Sequence, residues 1–148
     1  MSRTSKLLDD LPTEQPDKLR RRKSPRWITP MLATLTDKCF SDEQWIFERK
    51  LDGERCLAMR DGKVVSLTSR NKKRLNATYP EIVDVLETQS CDRFLVDGEV
   101  VAFDGAVTSF SRLQGRMQIK DADEARASRI AVYYYVFDLL YLDGYDTT

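Results

Sequence analysis

Asp-Gly pairs at 61–62 and 104–105, each set among short apolar runs, constrain this chain more than any other feature. Asp-Gly readily supplies the positive-φ positions of a tight turn, so each pair predicts a hairpin and antiparallel neighbours. Residues 54 to 60 and "KVVSLTS" read as the arms around the first pair, and "RFLVDGEVVAFDG" leads into the second. "RIAVYYYVFDLLYLDG" reads as a long final strand followed by a turn. Helical stretches lie between them. "ATYPEIVDVLETQ" has Thr78 as a cap, Pro80 and Glu81 in its first turn, and an apolar face of Ile82, Val83 and Leu86. "TSFSRLQGRM" is a short helix capped by Thr108 or Ser109, and "DADEARAS" is a charged loop or helix end. This order predicts an α+β domain with antiparallel or mixed sheets and flanking helices, not an alternating parallel one.

At 148 residues the chain is one domain or part of a larger one. It contains no histidine, so no Ser-His-Asp or Cys-His pair and no His-containing zinc site can be built from it. Cys39, Cys56 and Cys91 form no CxxC, and their odd count predicts reduced, buried thiols. No run of ~18 apolar residues is present, so no membrane helix is expected. The N-terminus lacks the apolar stretch of a secretory signal, and the expected compartment is the cytoplasm. The formal net charge of +0 conceals "KLRRRKSPR" at 18 to 26, a basic run without an acid. Residues 1 to 26 read either as a mobile solvated tail or as an arm that touches a polyanion.

"WIFERKLDGERCLAM", residues 45 to 59, places charges at the centre of an apolar run. Residues 45 to 50 and 54 to 60 are strand candidates. Strand alternation would put Glu48, Lys50 and Asp52 on one side and Phe47, Arg49 and Leu51 on the other. Gly53 would break the strand and let backbone approach closely, and Arg55 would return on the next strand. A lysine attacks only as the free amine, a form favoured by a low-dielectric pocket with neighbouring cations. The alternative is a surface strand with cross-strand ion pairs, and K-x-D-G alone leaves the two open.

Further along, "TSRNKK" sets Arg70 at the end of a hairpin strand, suited to bidentate phosphate contact, with Lys72, Lys73 and Arg74 beside it. A solvated loop is the competing reading. In "LVDGEVV", Asp97 and Glu99 share a strand face among apolar neighbours, which is costly unless they are paired or bind a metal or a ribose hydroxyl. Alternatively, Asp97-Gly98 is another turn. Tyr133, Tyr135 and Phe137 alternate with Val132, Tyr134 and Val136, and most are expected in the core, with one ring free to stack on a planar base.

Taken in order, "ERKLDGER", "SLTSRNKK", "FLVDGEVV" and "YVFDLLYLDG" resemble the successive motifs of the covalent nucleotidyltransferases. More closely they resemble bacterial ATP-dependent DNA ligases, including the ligase module of multifunctional end-joining ligases. "PMLATL" and "FSRLQGR" are similar to stretches of the same proteins. The resemblance covers residues 27–148 and leaves the arm, 1–26, outside. It implies the N-terminal part of a nucleotidyltransferase (ATP-grasp-like) adenylation domain, without an OB domain. It also implies that Lys50 attacks the α-phosphate of ATP to give lysyl-AMP and pyrophosphate. Glu48 would contact the adenine and Phe137 would stack on it. Arg55 and Arg70 would touch the nucleotide and the 5′-phosphate at a nick, and Glu99 would bind the ribose or support Mg²⁺ (or Mn²⁺). Asp52 and Gly53 would shape the loop.

The implied partners are nicked double-stranded DNA and DNA end-joining proteins, with no membrane, for a monomer in the cytoplasm at the nucleoid. RNA ligases and mRNA-capping guanylyltransferases share K-x-D-G, and a non-catalytic nucleotide- or DNA-binding remnant is a reading from a different class. The family's later glutamate strand motif and Lys-x-Lys motif have no counterpart before Thr148. These 148 residues alone are therefore expected to lack full ligation.

Overall fold

The computed structural model of the chain describes residues 18–148. Its strands are β1 (Arg20–Arg21), β2 (Glu54–Asp61), β3 (Val64–Ser69), β4 (Arg93–Val101), β5 (Phe103–Asp104), β6 (Val107–Thr108), β7 (Tyr133–Leu142) and β8 (Tyr145–Asp146). A six-stranded sheet runs in the order β1-β8-β7-β4-β2-β3, and β5 and β6 form a separate two-stranded ribbon. Every described pairing is antiparallel, as the hairpin signals predict. Both Asp-Gly turns form, with Gly62 at φ +62° and Gly105 at φ +59°.

The helices are α1 (Pro80–Glu87), α2 (Phe110–Met117) and α3 (Ala122–Ala127). Serine and aspartate side chains start two of them. Ser109 Oγ accepts the Arg112 N–H, and Asp121 Oδ1 accepts the N–H groups of Asp123 and Glu124. Thr78, the expected cap of α1, does other work. Its hydroxyl donates to Ile119 O at 3.0 Å, and Tyr79 occupies the cap position with no side-chain bond. Arg116, 1% exposed, joins α1 to α2 by donating to Thr78 O and to both oxygens of Glu81.

The period-two alternation of the strands gives the sheet two faces. Cys56, Ala58, Leu67, Val96 and Val100 point toward the helices and pack with Tyr79, Ile82 and Leu113. Leu57, Leu95 and Tyr141 point the other way, where Trp27 and Ile28 cover them. Burial of each large side chain contributes ~1.5–3 kcal/mol, so both faces have reason to stay closed. No described helix is long and apolar enough to cross a membrane.

Several expectations need correction. Residues 45–50 form no strand: both edges of β2 are already taken by β3 and β4, and no described strand pairs with 45–50. An extended segment without a ladder leaves its backbone to solvent, and every residue from Ser41 to Lys50 is exposed. The final strand starts at Tyr133 and not at Arg129. Of the two readings of Asp97-Gly98 the strand holds and the turn does not: the pair lies inside β4, where a Cβ on Gly98 would fall 2.3 Å from Tyr135 O. Cys39 is exposed, whereas Cys56 and Cys91 are buried. Tyr133 and Tyr135 are about half exposed instead of core. Of the basic arm, residues 1–17 lie outside the described residues, while Arg20 and Arg21 belong to the sheet.

Candidate active site

Strand register assembles the first part of the site. Arg55 pairs with Glu99 and Leu57 with Asp97, so Arg55, Asp97 and Glu99 share the face that Trp27 covers further along. Arg55 reaches diagonally to Asp97, with Nε donating to Oδ1 at 3.0 Å and Nη2 to Oδ2 at 2.6 Å. Its Nη1 donates to Met31 O at 2.7 Å. The Asp97 hydrogen bond is the main cause that holds the Arg55 guanidinium still more firmly protonated than usual, against the opposing effect of burial. Asp97 is 1% exposed, and this fork is what permits a carboxylate there. The Arg55 guanidinium also lies 5.3 Å from the centre of the Phe137 ring and so holds that ring in place.

The Lys50 loop is tied down from below. Gly53 N–H donates to Glu99 Oε1 at 2.9 Å, and Asp52 Oδ2 accepts the Phe110 N–H at the start of α2 at 3.1 Å. A carboxylate there also suits the helix N-terminus. A Cβ on residue 53 would sit 2.1 Å from Val100 O, so only glycine lets the loop lie this close to β4. The expected common strand face of Glu48, Lys50 and Asp52 is replaced by this anchoring.

Two clefts meet at Glu99. One, about 260 Å³, is lined by Glu48, Arg49, Lys50, Leu51, Glu99 and Phe137. The other, about 660 Å³, has Gly53, Glu54, Arg55, Arg70, Lys73 and Glu99 in its walls. Arg70 follows β3 directly, on an exposed turn closed by Lys72 N–H donating to Ser69 O at 2.9 Å. The six side chains expected to attack or hold the nucleotide (Glu48, Lys50, Arg55, Arg70, Glu99, Phe137) thus border these two adjoining spaces, whereas Asp52, Asp97, Lys72 and Arg74 line neither. Lys50 itself is exposed rather than enclosed. Sequence reasoning missed Met31, whose carbonyl holds Arg55, and the buried Tyr79, whose hydroxyl donates to Glu54 Oε2 at 2.6 Å. Neither carries a local signal, because each depends on a contact formed only on folding.

Burial lifts the Glu99 carboxyl above the ordinary glutamate range, Asp52 adding to this while the Gly53 N–H, Lys50 and Arg55 oppose it. A raised acid favours the folded state while protonated, so that contribution is full below the unfolded value and fades as pH rises through the folded one. Glu99→Gln keeps an acceptor for Gly53 without the charge. We expect this variant to be at least as stable as the parent near pH 7, with the gap closing toward ~pH 4. Chemical denaturation at both pH values checks this, and a large loss of stability at pH 7 would contradict it.

A lysine, acids, arginines and an aromatic ring border adjoining clefts beside an antiparallel α+β sheet, the layout of the nucleotidyltransferase fold. The sequence matches the ATP dependent DNA ligase domain over residues 30–148, and the chain belongs to that family. It is 38% identical over 119 residues to the multifunctional non-homologous end joining protein LigD of Mycobacterium bovis, covering 79% of this chain and 14% of that protein. It is 32% identical over 145 residues to a DNA ligase of Methanocaldococcus jannaschii, covering 93% of this chain and 25% of the relative. The crystal structure of the ligase domain from M. tuberculosis LigD superposes with a TM-score of 0.54 at 35% identity, covering 67% of this chain and 30% of that one. A structure of mycobacterial DNA ligase D complexed with ATP and MES gives 0.51 at 33% identity. The chain therefore spans between about a seventh and a quarter of the length of these curated relatives.

Proposed function

We propose that this chain carries the nucleotide-accepting part of an ATP-dependent DNA ligase, in which Lys50 becomes covalently adenylated. The observation that carries this reading is the meeting of the two clefts at Glu99, with Lys50, Glu48 and Phe137 on one side and Arg55, Arg70 and Lys73 on the other. Residues 27–148 would be the N-terminal part of the adenylation domain. The adenine stacks on Phe137, whose ring Arg55 fixes, and Glu48 contacts its edge. The phosphates reach toward Arg70 and Lys73.

Lys50 Nζ, having lost a proton, forms a bond to the α-phosphorus as the bond to the pyrophosphate oxygen breaks. Positioning and cationic stabilisation of the phosphates supply most of the effect. Among the described residues no group of three metal-ligating side chains converges. Glu99 alone fits Mg²⁺, which ordinarily keeps waters and takes one or two carboxylates together with substrate phosphates. That ion, when bound, would neutralise phosphate charge. AMP would then pass to a DNA 5′-phosphate at a nick, and a 3′-hydroxyl would displace it.

The substrate would be nicked duplex DNA, and the names of the LigD relatives favour partners in end joining; the proposed place of work is the nucleoid in the cytoplasm. Incubation with labelled ATP and Mg²⁺ should give an acid-labile protein-AMP adduct, competed by ATP and not by GTP. No adduct at any metal concentration, or preference for GTP, would defeat the proposal.

A further inference from the structure

The basic run that precedes the site has a defined course across the sheet. It begins at the outer edge, where Arg20 pairs with Asp146 and Arg21 with Tyr145. Arg22 N–H donates to Gly144 O at 2.8 Å, and its guanidinium binds Asp146 at 2.7 Å. The chain then crosses the face opposite the helices, with Trp27 and Ile28 turned inward over Leu57, Leu95 and Tyr141. It reaches the far edge beside the turn after β3, where Lys72 Nζ stands 5.5 Å from the centre of the Trp27 ring. Met31 O then accepts the Arg55 bond at the border of the site.

This strap therefore spans the sheet from β1 to β3, about 24 Å at ~4.8 Å per strand. Arg20, Arg21, Lys23 and Arg26 are exposed along it, and Lys72, Lys73 and Arg74 are exposed where it ends. Among the described residues only Arg22 of the strap is in an ion pair. We propose that this row is a binding track for the sugar-phosphate backbone of a nucleic-acid duplex, laid beside the Lys50 site on the same face. A length of about 24 Å matches roughly seven phosphates of one strand at ~3.4 Å each. From Arg20 to Arg26 every exposed residue is basic, and Trp27 and Ile28 face the sheet, which suits a charged rod better than a membrane that takes up apolar side chains. The inference rests on the proposed ligase reading for its choice of duplex, but on the strap alone for the contact.

The test measures binding of the full chain to a labelled nicked duplex across about 50–200 mM salt, together with AMP-adduct formation from ATP. Arg20→Gln, Arg21→Gln, Lys23→Gln and Arg26→Gln combined should flatten the slope of log affinity against log salt by about 3 to 4 and weaken binding more than ~tenfold. The adduct should form as in the parent. Lysine at the three arginine positions should restore the slope. If the combined variant fails to fold by circular dichroism, Lys23→Gln with Arg26→Gln, outside β1, should flatten the slope by about 2. An unchanged slope and affinity, or displacement of the duplex by anionic phosphatidylserine vesicles that bind with equal salt dependence, would overturn the track. Loss of duplex binding on substitution without any adduct in the parent would support the track while refuting the ligase reading.

Discussion

Lys50→Ala should abolish the AMP adduct, lowering its rate of formation by more than about a thousandfold, because no other group can replace the nucleophile. Lys50→Arg should fail equally. It keeps a positive charge beside Glu99, but a guanidinium stays protonated and cannot attack phosphorus. Because Lys50 is exposed on an irregular segment and makes no described hydrogen bond, both variants should unfold as the parent does. Lys63→Ala serves as the control, since this exposed lysine lies on the β2–β3 turn, lines neither cleft and should leave the adduct intact. Mass spectrometry of the labelled peptide reads the result directly. Label retained in Lys50→Ala, or found on another lysine, would refute the assignment.

Arg55→Ala should cost about 3 kcal/mol of folding stability, toward the lower end of what breaking a buried ion pair costs, because the Arg55 side chain keeps 21% of its exposure. The cost comes mainly from Asp97, 1% exposed in the parent, whose carboxylate would lose both guanidinium bonds. Arg55→Lys should recover only a small part, since a point charge cannot make the two-pronged contact. If the stranded carboxylate is the cause, Asp97→Ala in the Arg55→Ala background should cost little more or even restore stability, a non-additive cycle that chemical denaturation can measure. Strictly additive losses would show that the two side chains act apart. Adduct formation should fall as well, because Arg55 fixes both the Phe137 ring and the Met31 backbone.

Much of the architecture is legible along the chain. The Asp-Gly turns and apolar runs define the β2–β3 and β5–β6 hairpins, and Ser109 marks the start of α2. These signals are local: turn chemistry and alternation act over a few residues. Thr78 shows where such reasoning stops. It has the right side chain one residue before the right place, yet its hydroxyl goes to Ile119, 41 positions away. The segment 45–50 shows the same limit, since its composition suits a strand but a strand exists only where another chain segment offers a ladder.

The sequence by itself determined what the chain excludes, since without histidine it builds no Ser-His-Asp or Cys-His pair, and its motif order offered Lys50, Arg55, Arg70 and Glu99 as candidates for phosphate chemistry. Only the tertiary structure decided their arrangement. Register sets Arg55 diagonal to Asp97, a contact across 42 residues that commits the guanidinium to a buried carboxylate. Close approach at Gly53 hangs the Lys50 loop on Glu99, and the strap from Arg20 to Met31 places the basic run beside the site. Pairings at such separation depend on how every intervening element packs, so no short window of residues contains them.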